Sequence, residues 1–129
     1  MAEAWRRCPR TLIVDDNHDV ADSFARVLKA MGCEATFITD PLLALETAGR
    51  IKAEIVFLDI GMPGLDGYEL ARRLRSQYGW QGIQIVAVTG YGSKEDRVRS
   101  RAAGFDAHVV KPVSPELVES MLKTLWPMN

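Results

Sequence analysis

The sequence predicts an α/β domain: a doubly wound, five-stranded parallel sheet with five helices. Three observations predict it. Short apolar runs rich in β-branched residues recur at Thr11–Val14, Ile55–Leu58, Ile85–Val88 and Ala107–Val110, which is the composition of strands buried on both faces. Amphipathic helical stretches separate these runs, and regular β–α alternation implies parallel strands joined by right-handed crossovers that cover both faces of the sheet. Finally, each run stops at a polar residue (Asp15-Asp16, Asp59, Thr89 and Lys111), at the sheet edge where open α/β folds place their ligands.

The elements follow in order. The first strand, Thr11–Val14, leads into a helical stripe of Val20, Phe24, Val27, Leu28 and Met31 that stops at Gly32, a good residue for a helix C-terminus. Glu34–Ile38 reads as the second strand. Asp40-Pro41 has the order of an N-cap and a proline at the first helical position, so a second helix should run to about Gly49. The third strand ends at Asp59. Asp66 followed by Glu69 resembles a capping box, opening a third helix through about Tyr78. The fourth strand spans Ile83–Thr89. Ser93 caps a fourth helix ending near Gly104, and the fifth strand runs into Lys111. Ser114-Pro115 opens the last helix, which carries Leu117, Val118, Met121, Leu122 and Leu125.

The chain has 129 residues, 47% of them hydrophobic, enough for one domain with a single core. Residues 1–9 read as a short extension, 10–126 as the domain and 127–129 as a tail, without repeats or linkers. A net charge of -1 gives no overall pull toward nucleic acid. The arginines at 72, 73, 75, 97, 99 and 101 alternate with Glu69, Glu95 and Asp96, so they read as solvated helix faces. No apolar run reaches the ~18 residues of a membrane helix, and the first residues lack the apolar core of a signal peptide. These features predict a cytoplasmic protein with no membrane or nucleic-acid partner. The two cysteines, Cys8 and Cys33, fit no zinc or redox motif, and in that compartment they are expected to be reduced thiols.

Asp15, Asp16 and Asp59 should lie side by side at the C-terminal edge of the sheet. Three adjacent carboxylates repel one another unless a cation offsets them. Mg²⁺ suits the site, because it prefers oxygen ligands and keeps room for waters and phosphate oxygens. One carboxylate could also attack phosphorus and form an aspartyl phosphate. Lys111 supplies positive charge and Thr89 a hydroxyl, which is what phosphoryl transfer asks of a protein. Taken singly, each residue has an ordinary reading: Asp16 or Asn17 as a helix cap, Thr89 as a strand end, Lys111-Pro112 as a turn. Their convergence from four strands favours the functional reading. The segment Gly61-Met62-Pro63-Gly64-Leu65-Asp66-Gly67 lacks the Gly-Lys-Ser/Thr ending of a nucleotide-binding loop, and no Gly-x-Gly-x-x-Gly follows the first strand.

Four motifs, in order and spacing, resemble the receiver domain of two-component response regulators: Asp15-Asp16, Asp59 through Gly67, Thr89-Gly90-Tyr91, and Lys111-Pro112. The likeness covers about residues 10–126, and the wording around Thr89 and Gly104–His108 is similar to receivers attached to hybrid sensor kinases. The resemblance implies a flavodoxin-like sheet in the order 2-1-3-4-5. It implies that Asp59 accepts a phosphoryl group from a histidine kinase or a histidine phosphotransfer protein. Mg²⁺ would be bound by Asp16, Asp59 and the backbone carbonyl of Gly61, with Asp15 acting through water. Thr89 and Lys111 would contact the phosphoryl oxygens, and the Lys111-Pro112 bond would be cis. The output to a downstream partner would be the face of the fourth helix, fifth strand and fifth helix, roughly residues 93–126. His108 stands where the family usually has Tyr or Phe, and is expected in the switch position beside Thr89. Gly61, two residues after Asp59, offers no side chain to block or assist an attacking water. It also argues against a phosphatase of the haloacid-dehalogenase type, which needs an acid there. The intact acid, hydroxyl and lysine set argues against a degenerate receiver that only docks a partner.

Overall fold

In the computed structural model, which describes residues 8–62, 66–90 and 102–126 (backbone alone at 80 and 81), five strands form one parallel sheet. They are β1 (Thr11–Val14), β2 (Ala35–Ile38), β3 (Ile55–Asp59), β4 (Gln84–Thr89) and β5 (Ala107–Val110), in the order β2-β1-β3-β4-β5. This is the flavodoxin-like order. The described helices are α1 (His18–Ala30), α2 (Ala44–Arg50), α3 (Gly67–Gly82) and α4 (Pro115–Leu125). Here α4 is the helix expected as the fifth. The helix expected from Ser93 to Gly104 lies largely outside the described residues, and only its end at 102–103 is seen as helix.

Period-2 alternation sorts the strand side chains onto two faces. Leu12, Val14, Val56, Leu58, Ile85 and Ala87 point toward α2 and α3, where Ala44, Ala48, Leu70, Ala71 and Leu74 complete one apolar cluster. Ile13, Ile55, Phe57, Val86, Val88 and Val109 point the other way, against Phe24 and Leu28 of α1 and Val118 and Leu122 of α4. Strands buried on both sides explain the unbroken apolar runs of the sequence. Each fully buried Leu, Val or Phe contributes about 1.5–3 kcal/mol over leaving it exposed, so two such layers fix the strand register and the edge that carries the acids.

The helix ends follow the capping residues. The side chain of Asn17, rather than Asp16, accepts from Val20 N at 3.1 Å and starts α1. Asp66 accepts from Tyr68 and Glu69 N, and Ser114 from Leu117 N. After Asp40 the chain first makes a 3₁₀ turn, Pro41–Leu43, before α2 begins at Ala44. The third helix continues past Tyr78 through a break at Gly79, whose φ of 76° is the left-handed region that glycine occupies without penalty. The fourth strand begins at Gln84 instead of Ile83.

Two expectations need correction. Arg72 and Arg73 do lie on a solvated face and pair with Glu69, but Arg75 is only 8% exposed. Its guanidinium donates to the carbonyls of Gly104, Ile83 and Gly79 and to Asp106 Oδ2, at 2.6–3.1 Å. Asp106 Oδ2 also accepts from Ile85 N at 2.7 Å. A flat guanidinium with several donors can close one α3 end, one β4 end and the turn before β5 together. Second, Cys8 and Cys33 are paired as a disulfide, with Cα atoms 4.8 Å apart. The reason is topological. β2 lies beside β1 in parallel, so the turn entering β2 comes to rest against the residues that enter β1. Arg97, Arg99 and Arg101 lie outside the described residues.

Candidate functional site

The sheet register builds the site. Val14 is level with Leu58, so Asp15 and Asp59 leave adjacent strands at the same height. Asp59 pairs with Val88, and Ile60 N donates to Val88 O at 3.0 Å, which sets Thr89 one residue beyond. Lys111 N donates to Thr89 O at 2.7 Å. Gly67 keeps the chain after Asp59 close to α3, because a Cβ there would stand 3.0 Å from Ile60 Cα. The structure therefore brings Asp15, Asp59, Thr89 and Lys111 to one edge. Asp16 joins them: ligand oxygens of Asp15, Asp16 and Asp59 lie within 4.8 Å of one another.

Lys111 Nζ donates to Asp59 Oδ2 at 3.0 Å and to Asp15 Oδ2 at 3.1 Å. The other oxygen of each acid faces a backbone amide: Asn17 N reaches Asp15 Oδ1 at 2.9 Å, and Gly61 N reaches Asp59 Oδ1 at 2.8 Å. Asp15, Asp59 and Thr89 are buried, Lys111 is partly buried, and Asp16 is exposed. The Lys111-Pro112 bond is cis, in agreement with the family likeness.

Burial pushes the Asp15 carboxyl above its ordinary value, and the Asp59 charge adds to this; the Asn17 amide and Lys111 only partly oppose it. Burial works to lower Lys111, but hydrogen bonds and charge from Asp59 and Asp15 outweigh it and leave the ammonium above its ordinary value. The two directions look inconsistent for one ion pair, since a cation alone would lower its acid. They agree once the acid cluster is counted: Lys111 faces two carboxylates, whereas Asp15 faces one cation, a second acid and an apolar surround. The site thus holds more negative than positive charge, all of it on hard oxygen donors. That donor set fits Mg²⁺.

His108 is half-buried on β5, level with Ala87, while its neighbour Val109 is buried and Val110 exposed. Val109 packs into the core cluster under α1 and α4, and its neighbours His108 and Val110 are less buried. His18 is the exposed first residue of α1, with its ring 5.2 Å from Phe37 edge to face. Two features went unread in the sequence. The Asn17 and Gly61 amides that orient the acids carry no side-chain signature. A cavity of about 600 Å³ also opens beside Asp15, Asp59 and Lys111, walled by Val20, Phe24, Val113 and Val118. It is lined by residues of α1, α4 and the sheet, far apart in the chain, so no local pattern announces it.

Comparison with known proteins agrees with this geometry. The family model described as response regulator receiver domain matches residues 11–123. The sensory transduction protein RegX3 of Mycobacterium tuberculosis is 37% identical over 103 residues, covering 80% of this chain and 44% of that protein. The hybrid signal transduction histidine kinase L of Dictyostelium discoideum is 28% identical over 120 residues, 88% of this chain and 7% of that protein. The chain thus spans less than half the length of these relatives. The chemotaxis protein CheY4 of Vibrio cholerae superimposes with a TM-score of 0.84 at 26% identity, covering 91% of this chain and 98% of that one. A receiver domain protein from Methanospirillum hungatei does so with a TM-score of 0.80 at 31% identity, covering 91% and 93%. The family model spans most of the chain and the solved structures superimpose on nearly all of it, and the chain belongs to the response regulator receiver domain family.

Proposed function

We propose that this receiver is a switch that takes a phosphoryl group from the phosphohistidine of a histidine kinase or histidine phosphotransfer protein onto Asp59. One observation carries the reading: Lys111 bridges Asp59 and Asp15 at 3.0 and 3.1 Å within a cluster of three acids. The Gly61 amide holds Asp59 Oδ1, which leaves Oδ2, on the Lys111 side, to attack phosphorus. The new O–P bond forms as the N–P bond of the donor breaks, and the histidine nitrogen keeps the electron pair. Lys111 and Thr89 then hold the phosphoryl oxygens, which carry the charge that develops in transfer. Asp16, Asp59 and the Gly61 carbonyl would hold Mg²⁺, with Asp15 orienting a bound water. When bound, the cation supplies charge neutralisation between the acids and the incoming phosphoryl group. Attack of water on the same phosphorus returns Asp59 and phosphate, so the chain resets itself without being an enzyme on a separate substrate.

The functional unit is residues 10–126, with 1–9 and 127–129 as flanks, acting in the cytoplasm. Output runs through residues 93–126 to a downstream partner, biased by Thr89 and His108. Much of that surface, from 93 to 101, lies outside the described residues. The test uses Mg²⁺ and acetyl phosphate with intact-mass measurement. Wild type should gain one phosphoryl group, and Asp59→Asn none. Full labelling of Asp59→Asn would remove Asp59 from the role.

A further inference from the structure

We infer that Cys8 and Cys33 form a reversible redox latch that stiffens the β1–α1 unit, the part of the fold that carries Asp15 and Asp16. The chain's two cysteines are 25 residues apart in sequence, yet their Cα atoms stand 4.8 Å apart, within the span that a disulfide bridges. The segment between them contains β1, both acids, the Asn17 cap and all of α1. Cys33 sits at the far end of that helix: its amide donates to Leu28 O at 3.0 Å, just after Gly32 turns the chain with φ of 94°. A bond from Cys33 to Cys8 therefore ties the C-terminal end of α1 to the entrance of β1. The acids lie at the opposite end of the same helix.

The two sulfurs differ in access. Cys33 is 5% exposed within the apolar cluster under α1. Cys8 is half-buried at the margin of that cluster, three residues before β1. An exchange partner reaches Cys8 first, and Cys33 is placed to resolve the intermediate. The co-reactant is a low-molecular-weight disulfide such as oxidised glutathione. The Cys8 thiolate attacks one of its sulfurs and expels one thiol, leaving a mixed disulfide. The Cys33 thiolate then attacks the Cys8 sulfur and expels the second thiol. The cysteine pair loses two electrons and two protons, and the small disulfide becomes two thiols. Excess small thiol drives the same steps backward.

The fold does not depend on the bond. Leu12, Val14, Ala21 and Leu28 are completely buried, an apolar core of the size that holds a domain without a cross-link, and a reduced cysteine packs as a small apolar side chain. The reduced form therefore stays folded, and the bond acts on the looseness of β1 and α1 instead of on their existence. Closing a loop of this length restricts the unfolded chain, so the oxidised protein should melt about 10 °C above the reduced one.

The experiment equilibrates the protein with glutathione buffers of graded oxidised-to-reduced ratio. It then maps the Cys8–Cys33 cross-link by non-reducing peptide mass spectrometry, and follows melting temperature and hydrogen exchange in α1. The expected result is a cross-link that appears and disappears with the ratio, a higher melting temperature when it is present, and slower exchange in α1. Cys8→Ser should melt like reduced wild type under every buffer, and Cys33→Ala, which keeps the buried position apolar, should show a melting temperature that does not change with the ratio. Free thiols in oxidised buffer, glutathione retained on Cys8 without cross-linking, or a cross-link that native protein keeps in excess thiol would overturn the latch. So would a cross-link that leaves melting and α1 exchange unchanged.

Discussion

Replacing Lys111 with Met keeps most of the length of the side chain and removes, among the described residues, the cation hydrogen-bonded to Asp15 and Asp59. At 3.0 and 3.1 Å, each contact carries about 5 kcal/mol of attraction at an effective dielectric of about 20. Most of that is cancelled by the cost of taking three charged groups out of water. What is left after the substitution is a pair of buried acids whose oxygens lie within 4.8 Å, repelling by at least about 3 kcal/mol on the same scale. Breaking a fully buried pair costs about 3–5 kcal/mol. Lys111 is 30% exposed, so water relieves part of this, and the expected loss is about 2 kcal/mol, or about 8 °C in melting temperature.

The pH dependence follows from the two directions of shift. Lys111 lies above its ordinary 10.5, so its contribution is present below that value and is lost only as pH rises through the higher folded value. Asp15 lies above its ordinary 3.8. Its ionisation therefore costs stability, and that cost grows as pH rises through its folded value and disappears in acid. Urea unfolding of Lys111→Met and wild type should differ at pH 7 and converge near pH 3, below the raised folded value of Asp15. Saturating Mg²⁺ at pH 7 should narrow the gap by supplying the missing positive charge. An equal gap at pH 7 and pH 3 would mean that lost packing, not charge, sets the effect, and the electrostatic reasoning would fail.

Asp15→Asn should raise stability at pH 7 without Mg²⁺ by about 1 kcal/mol, because the amide oxygen can still accept from Asn17 N while the buried charge is gone; thermal melts check it, and the stabilisation by added Mg²⁺ should weaken in the same variant. Arg75→Met should cost about 3 kcal/mol, since it takes the guanidinium from the carbonyls of Gly104 and Ile83 and leaves Asp106 with the Ile85 amide in place of its ion pair. Adding Asp106→Asn should recover part of that loss in urea unfolding, and no recovery would show that the stranded charge is not the cause.

The strands and their polar ends were legible because a strand buried on both faces needs β-branched residues throughout, and an abrupt change to Asp, Thr or Lys marks its end. Asp15, Asp59, Thr89 and Lys111 could thus be placed on one edge from sequence, and the family likeness supplied the strand order. The local caps at Asp66 and Ser114 were legible for the same reason: they act within three residues. What could not be read depends on contacts far apart in the chain. Arg75 looks like Arg72 and Arg73 until the turn at Gly104 folds over it. Cys8 and Cys33 match no spacing motif, and only the pairing of β2 with β1 brings them together. Reduced thiols follow from compartment alone, whereas the pairing follows from strand order, which compartment says nothing about. The 3₁₀ turn at Pro41–Leu43 delays α2 in a way that capping residues alone do not reveal.

The most direct test of the central claim is transfer from a protein phosphohistidine. A histidine kinase or phosphotransfer protein carrying ³²P on its histidine is mixed with this chain and Mg²⁺, and the labelled residue is identified after borohydride reduction of the acyl phosphate. Label is expected at Asp59 alone, dependent on Mg²⁺, slowed by Lys111→Met and absent from Asp59→Asn. Label on another residue, or undiminished label in Asp59→Asn, would contradict the central claim.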